Sequence, residues 1–167
     1  MPQFRSLRAG IFLPPFHPND EDPLLCMERD FELMQWLDML DYSEAWIGEH
    51  HSGGYEIYGQ PELFIATAAE RTRHIRLGTG VISLPYHHPL MVADRIVQLD
   101  YQTRGRAMFG FGPGLLPSDA MMLGIDPEHQ RVGGKKPRPG SEHDAPARVM
   151  VELDDAVRHH QRVVVGQ

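Results

Sequence analysis

Apolar and polar positions along the first 130 residues follow two alternating periods, with Pro and Gly between them. Short runs with period-two apolar spacing read as strands, and longer runs with apolar positions every third or fourth residue read as helices. Arg8 to Pro14 (RAGIFLP) predicts a first strand. Asp22 then offers an N-cap with Pro23 at the first helical position, and Met27, Phe31, Met34 and Leu37 fall on one helical face. Ser43 to Gly48 predicts a second strand. Pro61 opens a second helix with Phe64, Ile65 and Ala68 inward. Ile75 to Leu84 (IRLGTGVISL) predicts a third strand, and Pro89 a third helix carrying Val92, Ile96 and Leu99 that Gly105 stops. Ala107 to Phe111 predicts a fourth strand, followed by a short helix from about Pro117 to Leu123.

This βα alternation argues for a parallel sheet. The units fill about 125 residues, half of the roughly 250 that an eight-fold βα barrel usually needs. Four barrel strands alone leave two open edges and an exposed inner face, a state that seeks a partner. An open doubly wound sheet is the competing architecture. It would want a glycine-rich phosphate fingerprint after the first strand, where RAGIFLPPFHP has one glycine.

Composition divides the chain near residue 130. Residues 1–130 hold 9 Arg, no Lys and 18 acidic residues, together with every Phe, Tyr and Trp. Residues 131–167 hold 7 basic and 5 acidic residues, both lysines (Lys135 and Lys136) and no aromatic. Val132 to Gly140 (VGGKKPRPG) reads as a linker, and Arg148 to Val164 as one weak helix with Val149, Leu153 and Val157 on one side. We therefore expect residues 1–130 to form a half-barrel and 131–167 a linker and tail. The change in residue usage suggests that a frameshift or early stop replaced the rest of a longer enzyme, with a natural variable extension as the alternative.

The net charge of −7 and the lack of basic runs interleaved with aromatics speak against nucleic acid and anionic membranes as partners. No apolar run approaches the roughly 20 residues of a membrane span. With no signal-peptide pattern and the single Cys26, the expected compartment is the reducing cytoplasm.

The candidate chemistry lies in YSEAWIGEHH, residues 42–51, where a strand-like run ends in Glu49, His50 and His51. Active sites of parallel barrels lie at this end of the strands. Adjacent histidines on a strand point to opposite faces, and HExxH is absent, so no metal site is expected here. An imidazole that exchanges a proton with a reacting oxygen fits His50. From the residues alone, a hydrogen-bonded loop anchor fits the turn equally well. Gly110, Gly112 and Gly114 (GFGPG) follow the fourth strand and would let a ring or phosphate approach the backbone, although a tight turn explains them too. His87 and His88 read as support for a helix entry. Gly133, Gly134 and Lys135 lack the spacing of a P-loop, and His159 and His160 belong to the tail.

Taken in order, EAWIGEHH, IRLGTGVISLPYHHPLMVADRIVQLDYQTRGRAMFGFGPG and LPSDAMMLGID resemble the flavin-dependent luciferase-like monooxygenases, most of all the limonene monooxygenase type. The resemblance covers about residues 7–131. It implies the first four βα units of a (βα)8 TIM barrel that uses reduced FMN from a separate flavin reductase to insert oxygen into a small hydrophobic organic substrate. It places the family's catalytic histidine pair on His50 and His51, with His50 assisting flavin oxygen chemistry and His51 supporting it. It also places a non-proline cis peptide under the flavin ring at Gly80-Val81, and cofactor contacts at Glu49 and Gly112. Where luciferases carry a basic residue near the flavin phosphate, this chain has Gly112 and Pro113. The other phosphate contacts of the family come from the second half of the barrel, so the implied site is incomplete. Within the superfamily the alternative is an F420-dependent oxidoreductase. From a different class comes a non-enzymatic remnant or a self-associating half-barrel.

Overall fold

A computed structural model describes residues 8–51, 55–114, 116–125 and 149–152. Strands β1 (Gly10–Leu13), β2 (Glu44–Ile47), β3 (Arg76–Thr79) and β5 (Ala107–Gly112) run parallel and side by side in that order. The register steps from Gly10 opposite Glu44 to Glu44 opposite Arg76, and then Leu77 opposite Ala107. Between successive strands lie α1 (Pro23–Met39), α2 (Pro61–Arg71) and α3 (Pro89–Thr103), with α4 (Pro117–Met122) following β5. Strands linked only by helices can pair in parallel, because a hairpin cannot return the chain to the same end.

Local chemistry starts and stops these elements as the residues suggest. The Asp22 carboxylate accepts the Leu24 amide at 2.9 Å ahead of Pro23, satisfying one of the orphan donors of the first turn. Helix α3 ends with Arg104 in the left-handed region (φ 60°), followed by Gly105 (φ 79°), and the Gly105 amide returns to the Asp100 carbonyl at 2.9 Å. Helices and sheet share one core. Phe31, Met34 and Leu37 of α1, Phe64, Ile65 and Ala68 of α2, and Val92, Ile96 and Leu99 of α3 meet Ala45, Ile47, Leu77 and Ala107 from the strands.

Two expectations change. The predicted third strand, Ile75 to Leu84, is two: β3 ends at Thr79, the Gly80-Val81 peptide is cis, and β4 (Ile82–Ser83) pairs further along β5. A 3-10 turn over Leu84–Tyr86 follows. The second correction concerns the tail. Instead of beginning a helix, Val149–Glu152 forms strand β6, antiparallel to β5, with Phe109 opposite Val151. The segment VMVE is rich in β-branched residues, and a strand edge of unpaired amides and carbonyls offers it immediate partners. One of the two edges expected to be open is therefore covered, antiparallel, where a barrel would add a parallel neighbour. The linker reading of 132–140, the glycines and lysine at 133–135, and the rest of the tail, His159 and His160 included, lie outside the described residues.

Candidate active site

The sheet presents one face to the helices and the other to the interior that a closed barrel would have. Alternation puts Ala45 and Ile47 of β2 on the helix side and Trp46 on the inner side. A side chain at Gly78 could not coexist with Trp46, because its Cβ would stand 2.5 Å from the indole Cε3. Small residues on β3 thus let the Trp46 ring lie flat along the inner face near the strand ends.

At the C-terminal ends of the strands, Phe12, Gly48, Glu49, His50, Gly80, Val81, Ser83 and residues 112–114 line a pocket of about 70 Å³. This is room for a few waters, or for one edge of a planar ring with the rest lying outside. Of the residues singled out from sequence, Glu49, His50, Gly80, Val81 and Gly112 are brought together here, and His51 stands behind this wall. The cis Gly80-Val81 peptide forms part of the floor, at the position the resemblance implies. Among the described residues no Arg or Lys lines the pocket, so the part of its face toward residues 112–114 that they form offers an anion no guanidinium or ammonium partner.

Glu49 lines the wall, yet both its oxygens are occupied by protein donors. Its Oε1 accepts from His51 Nε2 at 2.9 Å and from His87 Nε2 at 3.2 Å, and its Oε2 accepts the Ser83 amide at 3.0 Å. The Arg95 guanidinium donates to His87 Nδ1 at 3.3 Å. A guanidinium can only donate, so that nitrogen is the acceptor and the His87 proton sits on Nε2, aimed at Glu49. Arg95 is itself held by Glu62 at 3.0 Å. This chain of contacts fastens the Glu-His-His turn to the segment after the cis peptide and to α2 and α3. It was missed from sequence because His87 lies 38 residues from Glu49, and a reading for helix entry gave the histidine no partner. The only available signal was that a buried carboxylate needs donors.

His50 faces a different set. The segment after β1 crosses over the strand ends and pairs with residues 55–58: His17 N donates to Tyr55 O (2.8 Å) and Ile57 N to Pro15 O (3.3 Å), around a Phe16–Glu56 bridge. The Phe16 ring stacks on His50 with centroids 5.6 Å apart. His50 Nδ1 stands 3.4 Å from Asp119 Oδ2 and 3.7 Å from Glu56 Oε1, and Asp119 Oδ1 accepts the His51 amide at 3.1 Å. Beneath this loop Tyr58 donates to Asp30 at 2.6 Å; burial and that carboxylate push the phenol well above its usual value, so it stays a neutral donor.

The luciferase-like monooxygenase family matches residues 7–159. The 4-hydroxyprotoasukamycin monooxygenase of Streptomyces nodosus subsp. asukaensis is 62% identical over 122 residues, covering 73% of this chain and 33% of the relative. The limonene 1,2-monooxygenase of Rhodococcus erythropolis is 57% identical over 128 residues, 77% of this chain and 33% of the relative. Among solved structures, the oxygenating constituent of 3,6-diketocamphane monooxygenase from Pseudomonas putida, in complex with FMN, superposes with a TM-score of 0.70. It has 27% identity, and the match covers 78% of this chain and 36% of that one. The chain therefore spans about a third of the length of the curated relatives it matches. With the family match spanning residues 7–159, the chain belongs to the luciferase-like monooxygenase family.

Proposed function

We propose that this chain carries the N-terminal wall of a flavin site in an FMN-dependent monooxygenase that inserts oxygen from O2 into a small hydrophobic organic substrate. The observation that carries the reading is the pocket at the C-terminal strand ends, where His50, the Gly80-Val81 peptide and Gly112 converge. The residues fit one part of the cofactor. The backbone at Gly80, Val81 and Gly112 offers a flat surface to an isoalloxazine ring, while the phosphate would have to find its cation elsewhere. Reduced FMN, when bound, supplies the electrons for oxygen activation.

This chain's own residues do the rest. Phe12 gives the ring an apolar neighbour at the mouth of the pocket. His50 holds a proton at the pocket wall for exchange with a reacting oxygen, and His51 keeps Glu49 and the turn in place. The name of the Pseudomonas putida relative, an oxygenating constituent, supports a separate flavin reductase as the partner that delivers the reduced cofactor.

Titration of oxidised FMN with the chain tests the reading. Saturable quenching of flavin fluorescence is expected, weakened by Gly112→Trp, which would fill the pocket. Absence of saturable quenching would leave a non-enzymatic half-barrel. Saturable binding of F420 and not FMN would replace oxygen insertion by hydride transfer.

A further inference from the structure

The pocket wall has a second layer. Behind His50, on the side away from the pocket lining, stand Glu56 and Asp119, whose side chains are each 4% exposed. One oxygen from each and His50 Nδ1 all lie within 4.8 Å of one another. We propose that His50, Glu56 and Asp119 form a binding site for a first-row divalent cation such as Zn2+ or Mn2+.

The distances leave room for an ion between the three groups. An imidazole N–H donating to a carboxylate settles at about 2.7–2.9 Å. Here the separations are 3.4 Å to Asp119 and 3.7 Å to Glu56. Ligand atoms each about 2.1 Å from a tetrahedral zinc ion lie about 3.4 Å from one another. The two edges from His50 are close to that size, and all three ligand atoms lie within 4.8 Å of one another.

A second observation comes from Glu56. Its Oε2 is buried and has no hydrogen-bond partner among the described residues, although the same carboxylate's Oε1 faces His50. A buried carboxylate oxygen left without a donor is costly, and a cation beside it removes that cost. The donor set of one imidazole and two carboxylates suits Zn2+ and Mn2+, with water completing the shell. The carboxylates are also held in place from outside the cluster. Glu56 sits in the Phe16–Glu56 bridge, and Asp119 Oδ1 accepts the His51 amide, the outer contacts that orient ligands in metal sites. A cation bound at Nδ1 would fix the His50 ring and leave its other nitrogen for the pocket.

The test needs no flavin, so its failure leaves the proposed flavin reading intact, and the converse holds. The chelator-treated chain is titrated with Zn2+ against a chromophoric competitor. One equivalent is expected to bind, with at least tenfold weaker binding in the isosteric variants Glu56→Gln and Asp119→Asn. The control His74→Ala, an exposed histidine elsewhere, should bind as the parent does. If either isosteric variant loses its fold by circular dichroism, the unaltered chain decides: substoichiometric Mn2+ should broaden the ring resonances of His50 and Phe16 ahead of other histidine and phenylalanine rings. No stoichiometric binding, parent-like affinity in both variants, or broadening centred on other rings would overturn the site.

Discussion

The two faces of one sheet differ more than any two elements of this chain. The helix-facing side is a finished core, with Ile47, Ile65, Ile75 and Leu77 fully buried. The inner side carries Phe12 at 45% exposure and a half-buried Trp46 over glycine backbone. In a closed barrel the inner side chains of all strands fill the interior in layers. Here the strands supply one part of such a layer, and the apolar surface that would complete it is absent among the described residues. Folding free energy should therefore reside on the helix side, and ligand chemistry on the side that is still open.

The most damaging way to break that division is to empty the finished side. Ile65→Ala removes a fully buried side chain between α2 and the sheet. A loss of roughly 2–5 kcal/mol is expected, read as the shift in the urea midpoint. A loss below about 1 kcal/mol would mean that the helix layer is not the core described here.

Next in size is Asp38, a polar device on the same side. Its carboxylate, near the end of α1, accepts the amides of Arg73, His74 and Ile75 at 2.8–2.9 Å and so starts β3. Burial pulls its pKa up, but the three amides outweigh burial and hold it below the ordinary aspartate value. A depressed carboxylate contributes stability that is complete above its unfolded-state pKa and is lost as pH falls through the folded one. Asp38→Ala should cost about 2–3 kcal/mol at neutral pH, since it leaves buried amides unpaired. The gap between variant and parent should narrow as pH falls below about 4, in denaturation curves taken at stepped pH. A gap that stays constant across that range would remove the carboxylate from the account.

The helix side was legible in the sequence because burial there follows periodicity. Met34, Leu37, Phe64, Ile65 and Val92 were each marked by spacing alone, and the caps at Asp22 and Gly105 by residue type. The site was legible only in part. The Glu-His-His turn, Gly80-Val81 and Gly112 lie on consecutive units whose order sets their meeting point. His87, Glu56 and Asp119 stayed hidden, because each acts through a partner 6 to 69 residues away that no local pattern announces. The tail strand was misread for a related reason: Val149 to Glu152 carries no periodicity of its own, and the edge of β5 decides its conformation.

The smallest expected effect is the sharpest test of the open face. Phe12 is partly exposed at the mouth of the pocket, and its neighbours on the inner side include backbone at Gly80. If that face is open in solution, Phe12→Ser removes apolar surface that water already reaches, and stability should change by about 0.5 kcal/mol or less. If instead a second copy of the chain covers the face, the same substitution removes an interface contact. Denaturation would then depend on protein concentration, and the variant would sediment as a smaller species than the parent. Equal sedimentation with unchanged stability assigns the inner face to solvent and to a ligand. A concentration-dependent midpoint assigns it to self-association, and the contrast between the two faces of the sheet would then be a property of the isolated protomer.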